Sequence, residues 1–130
     1  MAAVPWSDGV LDHVVIGPTG AFALQIRSWR GRVHVQARRL RQGTRDVTSE
    51  IHRVSGAAGE VEHRLAQSGI VTSVEPILVL SNARLMHERI RLGAVSVIHA
   101  DDLAAVVMAG TNWLLDEQLD PAAQVLRGAS

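Results

Sequence analysis

The sequence predicts a single α/β domain in which a mixed central sheet is flanked by helices. Two short apolar runs, at 11–17 and 21–27, flank the turn sequence GPTG and indicate a β-hairpin. Residues 47–66 place apolar side chains at spacings of three and four, which is the period of an amphipathic helix. Residues 74–80, VEPILVL, form a near-continuous apolar run, as in a strand buried on both faces.

The predicted elements are three strands, a helix, two strands and two helices. Gly56 and Gly59 lie inside the first helix, where each costs about 1 kcal/mol relative to alanine, so we expect another segment to pack closely there. Asp101 is the predicted N-cap of the next helix. The chain is predicted to form a single domain over residues 1–130, which begins with an N-terminal extension (1–10). Residues 11–45 hold the hairpin, a third strand at 33–36 and an arginine-rich segment. The helix (46–69), further strands (74–100) and the C-terminal helices (101–130) follow.

The charges are balanced overall but unevenly distributed. All 13 basic residues are arginines, and the segment 27–45 holds seven of them without any Asp or Glu. Such a cluster favours a phosphate-facing surface, and the alternative is a solvated arginine-rich surface. No apolar run approaches the roughly 18 residues that a membrane span requires. The absence of cysteine fits a cytoplasmic protein.

The hairpin register brings polar residues together at one end of the two strands. An even-length connection sets Asp12 directly opposite Gln25 and Val10 opposite Arg27. Asp12, Gln25 and Arg27 then converge on one face. A carboxylate and a neighbouring amide oxygen are ligands that Mg²⁺ accepts, and such an ion can activate water for phosphodiester hydrolysis. The alternative is a structural cluster, in which Asp12 pairs with Arg27 and Gln25 bonds to the pair.

The stretch VLDHVVIGPTGAFALQIRSWRGRV, residues 10–33, resembles the NERD (nuclease-related) domain family. The resemblance is carried by the DH pair, the GPxG turn, the following strand and the W-x-G. Later segments, PILVLSNARL and VSVIHADDL, match mainly in their order. The family belongs to the restriction-endonuclease-like, PD-(D/E)XK group. The resemblance therefore implies a restriction-endonuclease-like α/β fold.

The resemblance also implies roles for three residues. Asp12 matches the family's metal-binding aspartate, Gln25 its second acidic ligand and Arg27 its catalytic lysine. Gln25 supplies no negative charge, which weakens Mg²⁺ binding, and Arg27 does not release its proton, because the pKa of an arginine lies above about 12. The family's core begins with a helix and a strand ahead of the hairpin, and both are expected to be missing here. Whether the domain is an enzyme is therefore left open.

The arginine-rich segment supplies the predicted nucleic-acid contacts. Trp29 can stack on a base while the neighbouring arginines reach phosphates, or it can pack against the edge of the sheet. The predicted nucleic-acid-binding residues are Arg27, Trp29, Arg30, Arg32, Arg38, Arg39 and Arg41. The six histidines have no zinc-ligand spacing, and no GxSxG sequence indicates a serine hydrolase.

Three functions fit these observations. The first is a nuclease-derived module that binds nucleic acid, DNA in particular, and has lost most of its catalysis. The second is a weakly active Mg²⁺-dependent DNA endonuclease that uses the same residues. The third is a structural or protein-interaction domain, in which the missing front elements leave a sheet edge that a second copy covers as a homodimer.

Overall fold

The computed structural model describes residues 2–5, 13–17, 20–86, 90–103 and 105. The α/β class is confirmed, with strands grouped into two mixed sheets beside one long helix, α1 (Thr48–Gln67). The described strands are β1 (Ala2–Pro5), β2 (His13–Gly17), β3 (Gly20–Arg27), β4 (Gly31–Gln36), β5 (Arg39–Gln42), β6 (Arg45–Asp46), β7 (Val74–Leu80), β8 (Ala83–Leu85), β9 (Ile90–Leu92) and β10 (Val95–His99).

The first sheet has six strands in the order β1-β2-β3-β7-β10-β9. Its centre is parallel, because β7 runs parallel to both β3 and β10, and its two ends are antiparallel. The central strand β7 is buried along nearly its whole length, as its continuous apolar sequence predicts. The arrangement is that of a restriction-endonuclease-like α/β fold.

The second sheet has four strands in the order β6-β5-β4-β8. The chain passes into it twice, through residues 28–30 after β3 and through residues 81–82 after β7. These two crossings lie side by side, since the amide of Ser81 donates to the carbonyl of Arg27 at 3.1 Å. Arg27 therefore marks the junction between the two sheets.

Apolar side chains cover both faces of the first sheet. On one face, α1 and the inner side of the second sheet enclose the main core, which includes Val14, Ile16, Ala21, Ala23, Val33, Leu40, Val54, Val61, Leu65, Leu78 and Leu80. On the other face lies a smaller core of Val15, Phe22, Leu24, Ile77, Val79 and Ile98, with Leu103 packed against it. The side chains along most of β3 thus alternate between the two cores and are buried on both faces, as expected of a sheet that is covered on both sides.

The structure corrects the prediction for the segment that precedes the hairpin. A strand does precede the hairpin, because β1 pairs antiparallel with β2 from Ala2 to Pro5. The prediction that the family's first strand is missing is therefore wrong. The edge of β2, which was expected to be open to a second copy, is occupied by β1.

Two further predictions also differ from the structure. The strand predicted at 33–36 lies in the second sheet, not in one central sheet. Asp101 lies inside a 3₁₀ turn at Ala100–Asp102, whose N-cap is His99. The segment expected to pack closely on Gly56 and Gly59 is not among the described residues, since a Cβ added at either glycine would meet none of them within 4 Å. Residues 106–130, where the C-terminal helices are predicted, lie outside the described residues.

Within the described part of the chain, we find no helix with the length and apolar character needed to cross a membrane.

Candidate functional site

The observed hairpin register is the predicted one. Antiparallel pairing joins His13 to Leu24, Val15 to Phe22 and Gly17 to Gly20. The next pair in this register is Asp12 with Gln25. Asp12 lies outside the described residues, so its place beside Gln25 stays a prediction.

Gln25 and Arg27 share the face of β3 that is turned towards α1. Ala21 and Ala23 on that face belong to the main core, and side chains on a strand alternate between faces. Gln25 is only 3% exposed, which makes it one of two buried polar residues among those described. The strand therefore does not simply emerge into water at this point.

The first turn of α1 provides a carboxylate beside Arg27. An Nη2 atom of Arg27 lies 3.3 Å from Oε2 of Glu50, and the exposed fractions of the two side chains are 32% and 15%. The other carboxylate oxygen of Glu50 lies 3.7 Å from Arg53. Oε2 itself is buried and accepts no hydrogen bond, so its contact with Arg27 is an ion pair without hydrogen-bond geometry. The carboxylate of Glu50 on α1 thus neutralises the charge of Arg27.

The resemblance implies a magnesium ion near these residues. Whether they suit such an ion depends on their ligand atoms and their charges. Gln25 and Glu50 carry oxygen ligands, but the guanidinium of Arg27 stands against Glu50 and repels a cation. In the ranges that the structure describes, no three His, Asp or Glu side chains are placed to hold a metal ion. The described part of the site does not fit magnesium.

A second group of charges lies on the outer face of the second sheet. Val33, Leu40 and Ala83 point into the main core, so their strand neighbours point outward. Arg32 on β4 is paired directly with Arg84 on β8, and His34 on β4 is paired with Arg41 on β5. Gln36 pairs with Arg39 in the same way. We call this surface, which carries Arg32, Arg39, Arg41 and Arg84, the arginine face.

One carboxylate partly balances the arginine face. Asp46, opposite Arg41, forms an ion pair with Arg39 and accepts a hydrogen bond from the amide of Thr48 at 2.9 Å. The hydrogen bond from Arg39, followed by those from Thr48, holds the pKa of Asp46 well below its usual range. In the described parts of the chain, no carboxylate forms an ion pair with Arg32, Arg41 or Arg84.

The other predicted nucleic-acid contacts lie elsewhere. Arg27 faces α1, and Trp29 is half-buried and packs against the main core, which is the packing alternative for this side chain. Arg30 is exposed in the connection between the two sheets. Arg38 lies in the β4–β5 turn and lines a groove beside α1.

Sequence reasoning did not single out Glu50 or Arg84. Glu50 follows Val47, the first apolar residue of the helical stripe, by three positions, which places it at the edge of the buried face of α1. Its position could have been inferred from the sequence only if the packing of α1 against β3 had been known. Arg84 becomes a neighbour of Arg32 only through the parallel pairing of β4 with β8. No local pattern in the sequence indicates that pairing.

Comparison with known proteins identifies a family for this chain. No curated protein and no solved structure matches the chain. The family model described as the nuclease-related domain matches residues 2–81, more than half of the chain, from β1 to the end of β7. The chain therefore belongs to the NERD, or nuclease-related domain, family.

Proposed function

We propose that this domain binds nucleic acid, DNA in particular, through the arginine face, and that its nuclease-type site has lost most of its catalysis. The supporting observation is the direct pairing of Arg32 with Arg84 on neighbouring strands. Like charges placed directly opposite each other destabilise a sheet. A polyanion laid across the face would remove that repulsion.

The size of the cluster sets the expected strength of binding. Arg32, Arg41 and Arg84 carry charges without an ion-pair partner among the described residues, whereas Arg39 is paired with Asp46. Three such charges can neutralise two or three phosphates. With a slope of about −0.9 per phosphate, the logarithm of the binding constant should fall with the logarithm of salt with a slope of about −2 to −3.

Arg84 is expected to contribute less than Arg32. It lines a groove together with Asp101 and Asp102, whose charges reduce the positive potential around it. The positive potential of the face is therefore strongest towards Arg32, because Asp46 lies directly opposite Arg41.

The proposed loss of catalysis rests on Gln25 and Arg27. Gln25 is neutral, and Arg27 is neutralised by Glu50 and does not transfer protons at ordinary pH. We expect at most weak magnesium binding through Asp12 and Gln25, because Asp12 is the only one of these two ligands that carries a negative charge. The proposal takes the protein to be cytoplasmic, which the absence of cysteine supports.

Binding to a fluorescent DNA duplex, measured by anisotropy from low to moderate salt, tests the proposed interface. The expected result is sequence-tolerant binding with the slope given above. No binding at low salt would overturn the proposal and favour the structural alternative. Solution mass then tests that alternative, since a monomer excludes a homodimer.

Cleavage assays separate the degenerate site from a working nuclease. The wild-type protein with magnesium should leave DNA intact, whereas cleavage that disappears in Asp12→Ala would support the weakly active endonuclease instead. The double variant Gln25→Glu/Arg27→Lys should gain magnesium-dependent cleavage. If it gains neither metal binding nor cleavage, the inferred site geometry is wrong.

A further inference from the structure

A groove of about 520 Å³ is lined by residues that belong neither to the arginine face nor to the Gln25–Arg27 site. It is enclosed by the β4–β5 turn, the first half of α1 and the β9–β10 hairpin. Its size falls within the range of small-molecule sites in proteins. The match to the family model ends at residue 81, so the β9–β10 wall of the groove lies beyond the matched segment.

The groove is lined by positive charge without negative charge. Arg38 and Arg91 enter it from two different hairpins, and both are exposed. His52 and Ser55, on successive turns of α1, add polar side chains between them. No Asp or Glu is among the described residues that line the groove. Two guanidinium groups with neighbouring hydrogen-bonding groups form a suitable site for a phosphate.

The backbone holds Arg38 at the groove in an unfavourable conformation. Ala37 and Arg38 connect the paired residues Gln36 and Arg39, and their φ angles are 53° and 60°. A two-residue turn with both φ values positive normally carries Asn-Gly, because other residues cost about 1–2 kcal/mol each in this region. Glycine would serve the hairpin better at position 38. A ligand contact would explain why arginine stands there.

The floor of the groove is apolar. Ile51 and Val95, at 6% and 1% exposure, form its base, and half-buried Leu92 lies beside them. Half-buried Leu92 and exposed Ala94 leave apolar surface open beside this floor, which a bare phosphate would not cover. A ligand with both a phosphate and a flat, less polar body would bury that surface and gain hydrophobic stabilisation.

From these features we propose that the groove is a second binding site, which takes a ligand of the mononucleotide class. The phosphate lies between Arg38 and Arg91, and the base and sugar cover Leu92 and Ala94 above the apolar floor. This site is independent of the arginine face. The phosphate could belong to a free nucleotide or to the backbone of a strand, and the titrations below distinguish these sources.

NMR titration of the full chain tests the site, with the side-chain Nε–H signals of the arginines and the ring signals of His52 as reporters. Adenosine 5′-monophosphate should shift the signals of Arg38, Arg91 and His52, and inorganic phosphate should shift the same signals with about tenfold weaker affinity. A short single-stranded oligonucleotide should bind this groove no more tightly than the monophosphate. Much tighter oligonucleotide binding would instead make the groove part of a strand path and overturn the proposal.

Three variants complete the test. Arg91→Gln should abolish the shifts, whereas Arg53→Gln, an exposed arginine of α1 that does not line the groove, should leave them unchanged. Arg38→Gly removes a guanidinium and relieves the positive φ, so it should weaken monophosphate binding without lowering stability. No shifts in the wild type, or shifts that persist in Arg91→Gln and Arg38→Gly, would overturn the proposal.

Discussion

Arg27, which the family resemblance matches to a catalytic lysine, has contacts that differ from those expected of a catalytic group. Its guanidinium contacts Glu50 of α1 and donates to the carbonyl of Ile26 at 3.1 Å. Glu50 is more buried than Arg27, so the carboxylate depends more on the pair than the arginine does. The pair joins the end of β3 to the start of α1.

A double-mutant cycle measures this pair. Glu50→Gln and Arg27→Gln should each lower the free energy of unfolding, and their coupling energy should be about 0.5–1 kcal/mol, because the pair is partly exposed. Urea unfolding of the four proteins gives this coupling. Strictly additive changes would contradict the role of Glu50 as the counter-ion of Arg27.

Asp46 should make the free energy of unfolding depend on pH. Its pKa is lowered in the folded state by Arg39 and Thr48, from an ordinary value of 3.8. A carboxyl whose pKa is lower when folded stabilises the protein above its unfolded pKa and loses this contribution as pH falls. The stabilisation should therefore be complete above about pH 5 and should decrease below about pH 4.

The variant Asp46→Asn provides the control for this prediction. The difference in free energy of unfolding between wild type and variant should be constant near neutral pH and should shrink between about pH 5 and pH 3. Denaturant unfolding at several pH values measures it. A difference that stays constant down to pH 3 would exclude the ionised carboxylate as its source.

At the scale of single elements, α1 carries two glycines that its packing against the described residues does not require. Gly56 and Gly59 are exposed, and a Cβ at either has open space around it. Gly56→Ala and Gly59→Ala should each stabilise the protein by about 1 kcal/mol, because alanine is the better helix former. Thermal or urea unfolding measures the change.

Gly69 provides the contrasting substitution. It follows the end of α1 with a φ of +85°, a conformation that favours glycine. Gly69→Ala should therefore destabilise the protein by about 1 kcal/mol or more, although it too has open space around it. If alanine at 56 or 59 destabilises the protein as well, α1 has a close partner that the described packing lacks.

Some elements could be predicted from local pattern and others could not. The helix expected at 47–66 is observed at Thr48–Gln67, and the strand expected at 74–80 has those bounds, because their periodicity is strong and local. β8 and β9 were not predicted, since three-residue strands leave little periodic signal. β1 was missed for a similar reason, as four residues are too few to show alternation.

The same contrast applies to the candidate sites. The register that places Gln25 towards Asp12 follows from an even-length hairpin connection, which is only assumed from the GPTG turn and is observed in the pairing of Gly17 with Gly20. The meeting of Arg32 with Arg84 depends on two chain crossings between the sheets, which the sequence does not indicate. Glu50 reaches Arg27 because α1 packs across the main core, and that contact is tertiary.

For the molecule as a whole, the arrangement separates two charged surfaces. The proposed degenerate site, Gln25 with Arg27, lies at the junction of the sheets, and Glu50 of α1 neutralises Arg27. The arginine face lies on the outer side of the second sheet and keeps most of its charge. A domain with this arrangement is expected to bind a polyanion without cleaving it.

The salt dependence of DNA binding in matched double variants tests this account most directly. Arg32→Gln/Arg84→Gln removes two charges from the arginine face, and Arg53→Gln/Arg64→Gln removes two arginines that ion-pair along α1. The first variant should lose about one to two units of the salt slope, with the smaller share from Arg84, and the second should keep the wild-type slope. Equal losses in both variants, or no loss in the first, would contradict binding through the arginine face.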